Sequence, residues 1–372
     1  MAERWTVGYD AKRLFHNHSG LGNYSRTLVS GMRQYASQIE TVLYSPRAEK
    51  SRYFQEYDDK HIVRSRAGMG AGIWRSVTQS SSWESDQLTH FHGLSHELPW
   101  LASKSSVKKI VTMHDLIQLR YPADHRAHDR WIYTQKIKRA LDIADRVICI
   151  SESTRDDILH HFDIDQSRLA VIYQSCDERY QAPRDPSRLA AIRSKYDLPS
   201  DYLLFLSGAR PRKNVLGVLR AYQQLQGERP PLLLLGSPSG YKEQIQTLAL
   251  DKGTISTIHF AHVLNEELPY IYDGALLYLY PSHYEGFGLP ILEAFARQVP
   301  VLTSNVSSMP EAAGDAALLI DPADDQQIAD GIRQVLDDST LAEHMVLRGT
   351  KQLHHFSLEK AVTETVEVYR TC

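Results

Sequence analysis

Short runs of consecutive apolar residues recur from one end of this chain to the other, each separated from the next by an amphipathic stretch long enough for a helix. A strand that is apolar on both faces must be covered on both faces, and helices packed on either side of a parallel sheet do this. In a first series "WTVGYD", "TVLYS", "LTHFHG", "KKIVTMHD", "RVICIS" and "LAVIYQ" read as strands, with helices in "RAHDRWIYTQKIKRALDIA" and "ESTRDDILHHF". The pattern then restarts with "YLLFLSG", "PLLLLGS", "ISTIHFA", "ALLYLYPS", "VPVLTSN" and "AALLIDP", separated by helical segments such as "NVLGVLRAYQQLQ" and "YKEQIQTLALDK". Between the series lies "DERYQAPRDPSRLAAIRSKYDLPSD", polar and holding Pro183, Pro186 and Pro199, which reads as hinge and linker. The expectation is an α/β chain of two Rossmann-like domains with a cleft between them, residues 1–180 and 185–356. Ligands of such sheets bind beyond the carboxyl ends of the strands, so motifs there carry the most weight.

Bulk properties narrow the function classes. A chain of 372 residues exceeds one small core. It has 42% hydrophobic and 23% charged residues and no apolar run long enough to span a bilayer. The start, "MAERWTVGYD", enters a strand pattern without a signal-peptide core, and Cys149, Cys176 and Cys372 have neither metal nor disulfide spacing. A reduced, cytoplasmic setting is expected. Net charge of −3 gives no case for nucleic acid. Residues 1–180 carry 25 Lys and Arg against 22 Asp and Glu, whereas residues 181–372 carry 17 against 23. The mildly basic first half suits approach to an anionic acceptor or a membrane surface.

The chemistry concentrates in the second half. In "PSHYEGFGLPILEAF" two glutamates, Glu285 and Glu293, flank a Gly-Phe-Gly-Leu-Pro segment that would be a poor centre for one continuous helix. Pro290 suits the first turn of a helix, which leaves Glu285 and Gly286 to Gly288 in a strand-to-helix loop and Glu293 in the first turns. Gly286 and Gly288 let the backbone approach a ligand, and the helix start presents N–H groups to an anion. Two carboxylates at the ends of an anion cradle fit a nucleotide sugar, with hydroxyls at both ends and phosphate between. Taken alone, the pair fits equally well a dipole-favoured acid and a solvated loop residue. Upstream, "YLLFLSGARPRKNVLGVL" ends a strand at Ser207-Gly208 and sets Arg210, Arg212 and Lys213 before a helix capped by Asn214. Three cations at a helix start make phosphate binding the better reading.

"GARPRKN", "YPSHYEGFGLPILEA" and "PVLTSNVSSMPEAAGDAALLIDP" together resemble the retaining nucleotide-sugar glycosyltransferases of family 4, whose Glu-x(7)-Glu motif is matched by Glu285 and Glu293. The resemblance extends through "SGLGNYSRTL", "HFHGLSHELP", "VTMHDL" and "VICISESTRDDI". It implies the GT-B fold, with a first domain for the acceptor and a second for the donor. The terminal helix, 357–372, would cross back to the first domain.

By the same resemblance, Glu293 would bind the ribose hydroxyls. Glu285 and the amides of Gly286, Phe287 and Gly288 would bind the sugar, and Lys213 the diphosphate. The loop is shortened, so Arg210 and Arg212 both remain candidates for the companion arginine. Gly20 and Gly22 of "GLGNY" would form a glycine turn before a helix, near donor phosphate or acceptor. His114 matches the active-site histidine, while Asp115 reads as a structural cap. The base would be read near "FAHVLNEEL", around Val263.

No covalent nucleophile is evident, so same-face attack assisted by the departing phosphate is the expected route. GDP-mannose is the expected donor, ahead of UDP-sugars, and a glycan or lipid-linked saccharide the acceptor, as in bacterial polysaccharide mannosyltransferases, with peripheral membrane association. No metal or other cofactor is expected to be obligatory. His16, His18, His90, His92 and His96 are crowded but lack a ligand spacing, and the "DID" at Asp163 to Asp165 reads as a helix end. A glycoside hydrolase would use two carboxyls about 5 to 10 Å apart, but it leaves the basic loop without a role. An epimerase or phosphorylase of similar fold explains the two motifs together less well. A catalytically silent sugar-nucleotide-binding scaffold is the non-enzyme alternative.

Overall fold

The computed structural model describes residues 5–68, 70–206, 210–227, 229–236, 247 and 258–372. Ser207, Gly208 and nearly all of the expected helix in "YKEQIQTLALDK" lie outside the described residues. The chain divides into two compact units, residues 1–175 with 357–372, and residues 176–356.

The first unit is a seven-stranded sheet in the order β3-β2-β1-β4-β5-β6-β7, all neighbours parallel. Its strands are β1 Trp5–Asp10, β2 Ile39–Pro46, β3 Ile62–Arg66, β4 His90–Gly93, β5 Lys108–Met113, β6 Arg146–Cys149 and β7 Leu169–Val171. Period-2 alternation feeds two cores from one sheet. Leu43 and Ile110 point into one with Val7 and Tyr9, while Val42, Tyr44, Val111 and Met113 point into the other with Trp83 and Phe91. The sequence reading missed β3, "IVRSR", because an edge strand that is mostly exposed carries no apolar run.

The second unit is a six-stranded parallel sheet in the order β10-β9-β8-β11-β12-β13. Its strands are β8 Tyr202–Leu206, β9 Leu232–Leu235, β10 Ile258–Ala261, β11 Ala275–Tyr280, β12 Val301–Ser304 and β13 Leu318–Ile320. The core joins Leu203, Phe205, Leu277 and Leu279 of the sheet to Val218, Leu219 and Tyr222 of the helix Val215–Gln224 and to Ile328 and Ile332 of the helix Asp325–Asp337. In both sheets the strand order reverses at one pair, β1/β4 and β8/β11, where loops diverge and leave a crevice at the carboxyl ends.

Two expectations about connections are corrected. The segment read as a linker is mostly folded: Pro186–Tyr196 is a helix whose start is capped by the Asp185 carboxylate, which accepts from Ser187 N and Arg188 N at 3.0 and 3.1 Å. Pro186 sits in its first turn, where a missing N–H costs nothing. "GLGNY" is not a turn before a helix, because the helix Gly20–Tyr35 begins at Gly20 itself. The final helix, Leu358–Arg370, packs on that helix in the first unit. The approach is close: a Cβ on Gly31 would lie 2.7 Å from Leu358 Cδ1 and 2.9 Å from Val362 Cγ2.

Candidate active site

The carboxyl ends of β8 and β11 bring the two second-half motifs together. After β11 the chain runs through a loop into the helix Leu289–Ala296, with Pro290 in the first turn and Gly288 at the cap with φ +126°. That backbone conformation is strained for any residue with a Cβ, so Gly288 is fixed by the turn. After β8, Pro211–Lys213 forms a single 3₁₀ turn. His283 N donates to Arg212 O at 2.7 Å, which stitches the two loops.

Glu285 is the hub. Its Oε1 lies 2.7 Å from Lys213 Nζ and its Oε2 lies 2.6 Å from an Arg212 guanidinium nitrogen. Ser282 Oγ donates to Oε1 at 3.1 Å. Burial would raise the Glu285 carboxyl, but Lys213 and Arg212 overcome it and hold the group down at about 2. Burial lowers Lys213, and Glu285 pulls it back. The Lys213 ammonium also sits 4.7 Å above the Tyr280 ring and 3.2 Å from its hydroxyl. Arg212 donates a second bond to Tyr284 O at 2.8 Å. Arg210 is different: it is exposed, and its guanidinium makes no hydrogen bond or ion pair among the described residues. Asn214 occupies the cap position in a left-handed conformation, but its side chain does not cap the helix as expected; Nδ2 donates to Pro322 O at 2.6 Å instead.

Glu293 is partly buried in the helix Leu289–Ala296, in a different environment. Burial raises its carboxyl to about 7, against the opposing pull of Tyr272, whose hydroxyl donates to Oε2 at 3.1 Å, and of Arg179. Phe287 is buried against Phe356 at 5.4 Å, and its carbonyl accepts from Ser308 Oγ at 2.7 Å. Val263 is half-buried just past β10, and Asn265 two residues on accepts from an Arg179 guanidinium at 3.3 Å through its carbonyl.

In the first unit His114 follows β5 and is buried. Its Nε2 donates to Leu94 O at 2.8 Å, which leaves Nδ1 to accept from the Gln174 amide at 3.3 Å. The Tyr24 ring packs edge-on at 4.7 Å, and His96 at 5.3 Å. Burial, with His96 beside it, lowers the ring to about 3, so His114 is a neutral imidazole. His96 Nε2 accepts from His114 N at 2.8 Å and Asp115 N at 3.3 Å. Asp115 caps the next turn through Ile117 N at 3.0 Å, as expected of it. Gly22 N is bonded to Ser19 O and Asn17 Oδ1 at 2.9 and 3.0 Å, whereas a Cβ on Gly20 would meet open space. His90 and His92 are core residues, and Asp165 caps a 3₁₀ turn through Ser167 N at 2.9 Å.

Comparison with known proteins identifies the family and the fold. Residues 18–180 match the family described as Glycosyltransferase Family 4, and residues 191–352 match Glycosyl transferases group 1. An O-antigen chain mannosyltransferase B of Escherichia coli is 36% identical over 287 residues, covering 75% of this chain and 74% of that protein. The chain belongs to the GT-B glycosyltransferases of family 4. Solved structures share the fold: a glycosyltransferase from Rickettsia africae superposes with a TM-score of 0.78 at 16% identity, covering 99% of this chain and 98% of that one. HepE of Anabaena in complex with UDP gives 0.74 at 14% identity, with both chains covered completely.

The glycosyltransferase also holds this site with residues that motif reading passed over. Hydroxyls at the end of β12 and just after it fasten the Glu285 loop: Ser307 Oγ and Ser308 Oγ donate to Glu285 O at 2.7 and 2.8 Å, and Ser304 Oγ donates to Ser282 O at 2.6 Å. The run "TSNVSS" after a strand was the available signal. Arg297, fully buried, is fixed to Asp273 through Nη2 at 2.6 Å and Nε at 2.8 Å, and donates to Tyr180 O at 3.1 Å and to Ala182 O. It thereby fastens the segment read as a hinge beside Glu293. Nothing local in the sequence marks that long-range anchor.

Proposed function

We propose that this glycosyltransferase moves mannose from GDP-mannose, with retention of anomeric configuration, onto a glycan or lipid-linked saccharide in surface-polysaccharide assembly. The observation that carries the reading is the Glu285 hub, with Lys213 and Arg212 held at 2.7 and 2.6 Å at the switch point between β8 and β11. In the free protein the two cations are neutralised in part by Glu285. On donor binding, diphosphate oxygens take over part of that pairing, and Lys213 and Arg212 then stabilise the charge that grows on the leaving phosphate. Glu285, released toward the ligand, orients the sugar hydroxyls, and Glu293 the ribose. Gly286, Phe287 and Gly288 line the sugar, and the segment at Val263 meets the base. His114 serves as a neutral hydrogen-bonding wall for the sugar, and Gly20 and Gly22 meet the donor phosphate or the acceptor. Attack comes from the face the phosphate leaves, with no covalent enzyme intermediate, and phosphate charge is met without an obligatory metal.

The mannosyl part of the reading is supported by the name of the Escherichia coli relative, whose chain is three-quarters covered. A UDP-sugar donor is the second reading, since the HepE structure of the same fold holds UDP. Reaction with a lipid-linked acceptor would place the enzyme at the inner face of the cytoplasmic membrane. Trp131 and Trp100, 62% and 46% exposed in the first unit, the latter with the Arg139 guanidinium 5.8 Å from its ring centroid, suit contact with an anionic surface.

Calorimetric titration with GDP, UDP, ADP and dTDP, each with magnesium and with EDTA, tests the donor site. Binding of GDP in both buffers, abolished in Glu293→Ala, is the expected result. Binding of UDP alone selects the second reading, and no binding at millimolar concentration overturns both. The anomeric configuration of the product, read by NMR, tests retention.

A further inference from the structure

The first unit contains a buried polar chain that the reading above does not use. Tyr9 and Tyr369 hydroxyls meet at 3.2 Å, and the Tyr369 hydroxyl lies 2.7 Å from His92 Nδ1. His92 Nε2 lies 2.7 Å from Thr112 Oγ1, and Thr112 Oγ1 lies 3.0 Å from the Tyr24 hydroxyl. The Tyr24 and His114 rings then meet in a T, the planes 87° apart. Tyr9, Thr112, His92 and Tyr369 are each at most 1% exposed. The hydrogen bonds therefore run from the last turn of the final helix through β4 and β5 to Tyr24, with Tyr9 of β1 as a branch, and a ring contact completes the path to His114.

We propose that Tyr369 is a positioning residue for His114, acting through His92, Thr112 and Tyr24. The inference rests on the role of His114 suggested above. A neutral imidazole has one N–H and one lone pair, so His92 must donate at one nitrogen and accept at the other. Its two partners are hydroxyls, which accommodate either direction. Every hydroxyl along the chain is thus ordered by its neighbour, and rotation of any one breaks the next. Thr112 is also the next-to-last residue of β5, and His114 follows that strand directly, so the chain reaches His114 both through Tyr24 and through the backbone. The third support is the Gln174 amide on Nδ1, on which a substrate hydroxyl would act by displacement. With Tyr24 fixed, the ring keeps its plane when that partner leaves.

Tyr369→Phe and Tyr24→Phe remove one hydroxyl at each end of the chain and keep both rings. The two readouts are the ¹H–¹⁵N spectrum of the His114 imidazole, assigned with His114→Gln, and kcat and KM for the donor. The expected result is altered His114 ring signals in both variants. With it come a three- to tenfold fall in kcat, a donor KM within twofold of wild type, and no further fall when either substitution is added to His114→Ala. Loss of stability alone is not support, because Tyr369→Phe strips His92 of a buried partner whatever its role. Tyr24→Phe, at the far end, decides if Tyr369→Phe does not fold. Unchanged ring signals, or a kcat loss that multiplies with that of His114→Ala, overturn the proposal. If the wild type turns over no nucleotide sugar, or His114→Ala is fully active, the functional reading fails while the ring spectrum still decides the coupling.

Discussion

The loop around Glu285 and the corner around His114 both sit at carboxyl ends of parallel strands and both bury polar groups, yet they satisfy burial in opposite ways. At Glu285 burial is made tolerable by charge: one carboxylate between an ammonium and a guanidinium, each at most 18% exposed. At His114 it is made tolerable by neutrality: an imidazole lowered to about 3, held between a carbonyl and an amide. A charged cluster is costly to break because each member removed strands the others. A neutral network loses about one hydrogen bond per substitution. The first arrangement suits a ligand that brings its own charge and exchanges partners, and the second suits one that brings hydroxyls.

The largest effect should come from Glu285→Gln, which leaves Lys213 and Arg212 facing each other without their shared anion. Breaking a buried pair this way costs about 3–5 kcal/mol, read by urea unfolding of the intact chain, with pyrophosphate restoring part of it. His114→Gln should cost about 1 kcal/mol in the same assay. Equal losses would erase the distinction between the two regions.

The two glutamates sharpen it further, because they move in opposite directions from the same ordinary value of 4.5. Glu285 is lowered to about 2, so its contribution is present above pH 4.5 and is lost as pH falls toward 2. Glu293 is raised to about 7, so its contribution is full below pH 4.5 and is lost as pH rises from 4.5 through 7. Across that upper window the loss is on the order of 3 kcal/mol. Glu293→Gln keeps a partner for the Tyr272 hydroxyl and removes the titration. Unfolding free energies at pH 5 and pH 8 should therefore differ less in Glu293→Gln than in wild type, and an unchanged difference would show that Glu293 is not buried as described.

Within the basic loop the contrast between charge-locked and free groups makes a smaller prediction. Arg212→Ala should weaken nucleoside diphosphate binding by about 1.5–3 kcal/mol, as expected of a charge-assisted bond. Arg210→Ala, an exposed group outside the ion cluster, should change it by about 0.5 kcal/mol or less. Calorimetry on the two variants decides between the arginines, and the reverse order would mean that the loop rearranges on binding.

How much of this was legible in the sequence depended on whether the signal was local. The strands β1, β2, β4, β5, β6 and β7 announce themselves as apolar runs, as do all six strands of the second sheet, because most of their side chains are covered by helices or neighbouring strands. Edge strand β3 is mostly exposed and left no such run. Glu285, Glu293 and the basic loop were legible because their spacing is local, but the choice between Arg210 and Arg212 was not, since it depends on which side chain turns toward Glu285. The connector was read from its prolines as a hinge. Its helix and its fastening by Arg297, more than a hundred residues away, follow from contacts that no window of sequence contains. Asn214 differs from expectation for a related reason: a cap residue is known by position, and here the bond from Nδ2 to Pro322 O orients the amide, with no helix N–H donating to its oxygen.

The smallest expected effect is an absence of titration at His114, and it separates the two regions most directly. Burial, with His96 beside it, keeps the ring neutral down to about pH 3, so its imidazole signals should stay flat between pH 5 and 8. A step near pH 7 is then expected from Glu293, the carboxyl at the site raised to about that value. The assignment has a sign as well as a position. If ribose binding needs the ionised carboxylate, KM for the donor should fall as pH rises through 7, and Glu293→Gln should lose that slope while His114→Gln keeps it. A slope that survives in Glu293→Gln and disappears in His114→Gln would mean that the imidazole titrates within the working range, and that the corner around His114 relies on charge after all.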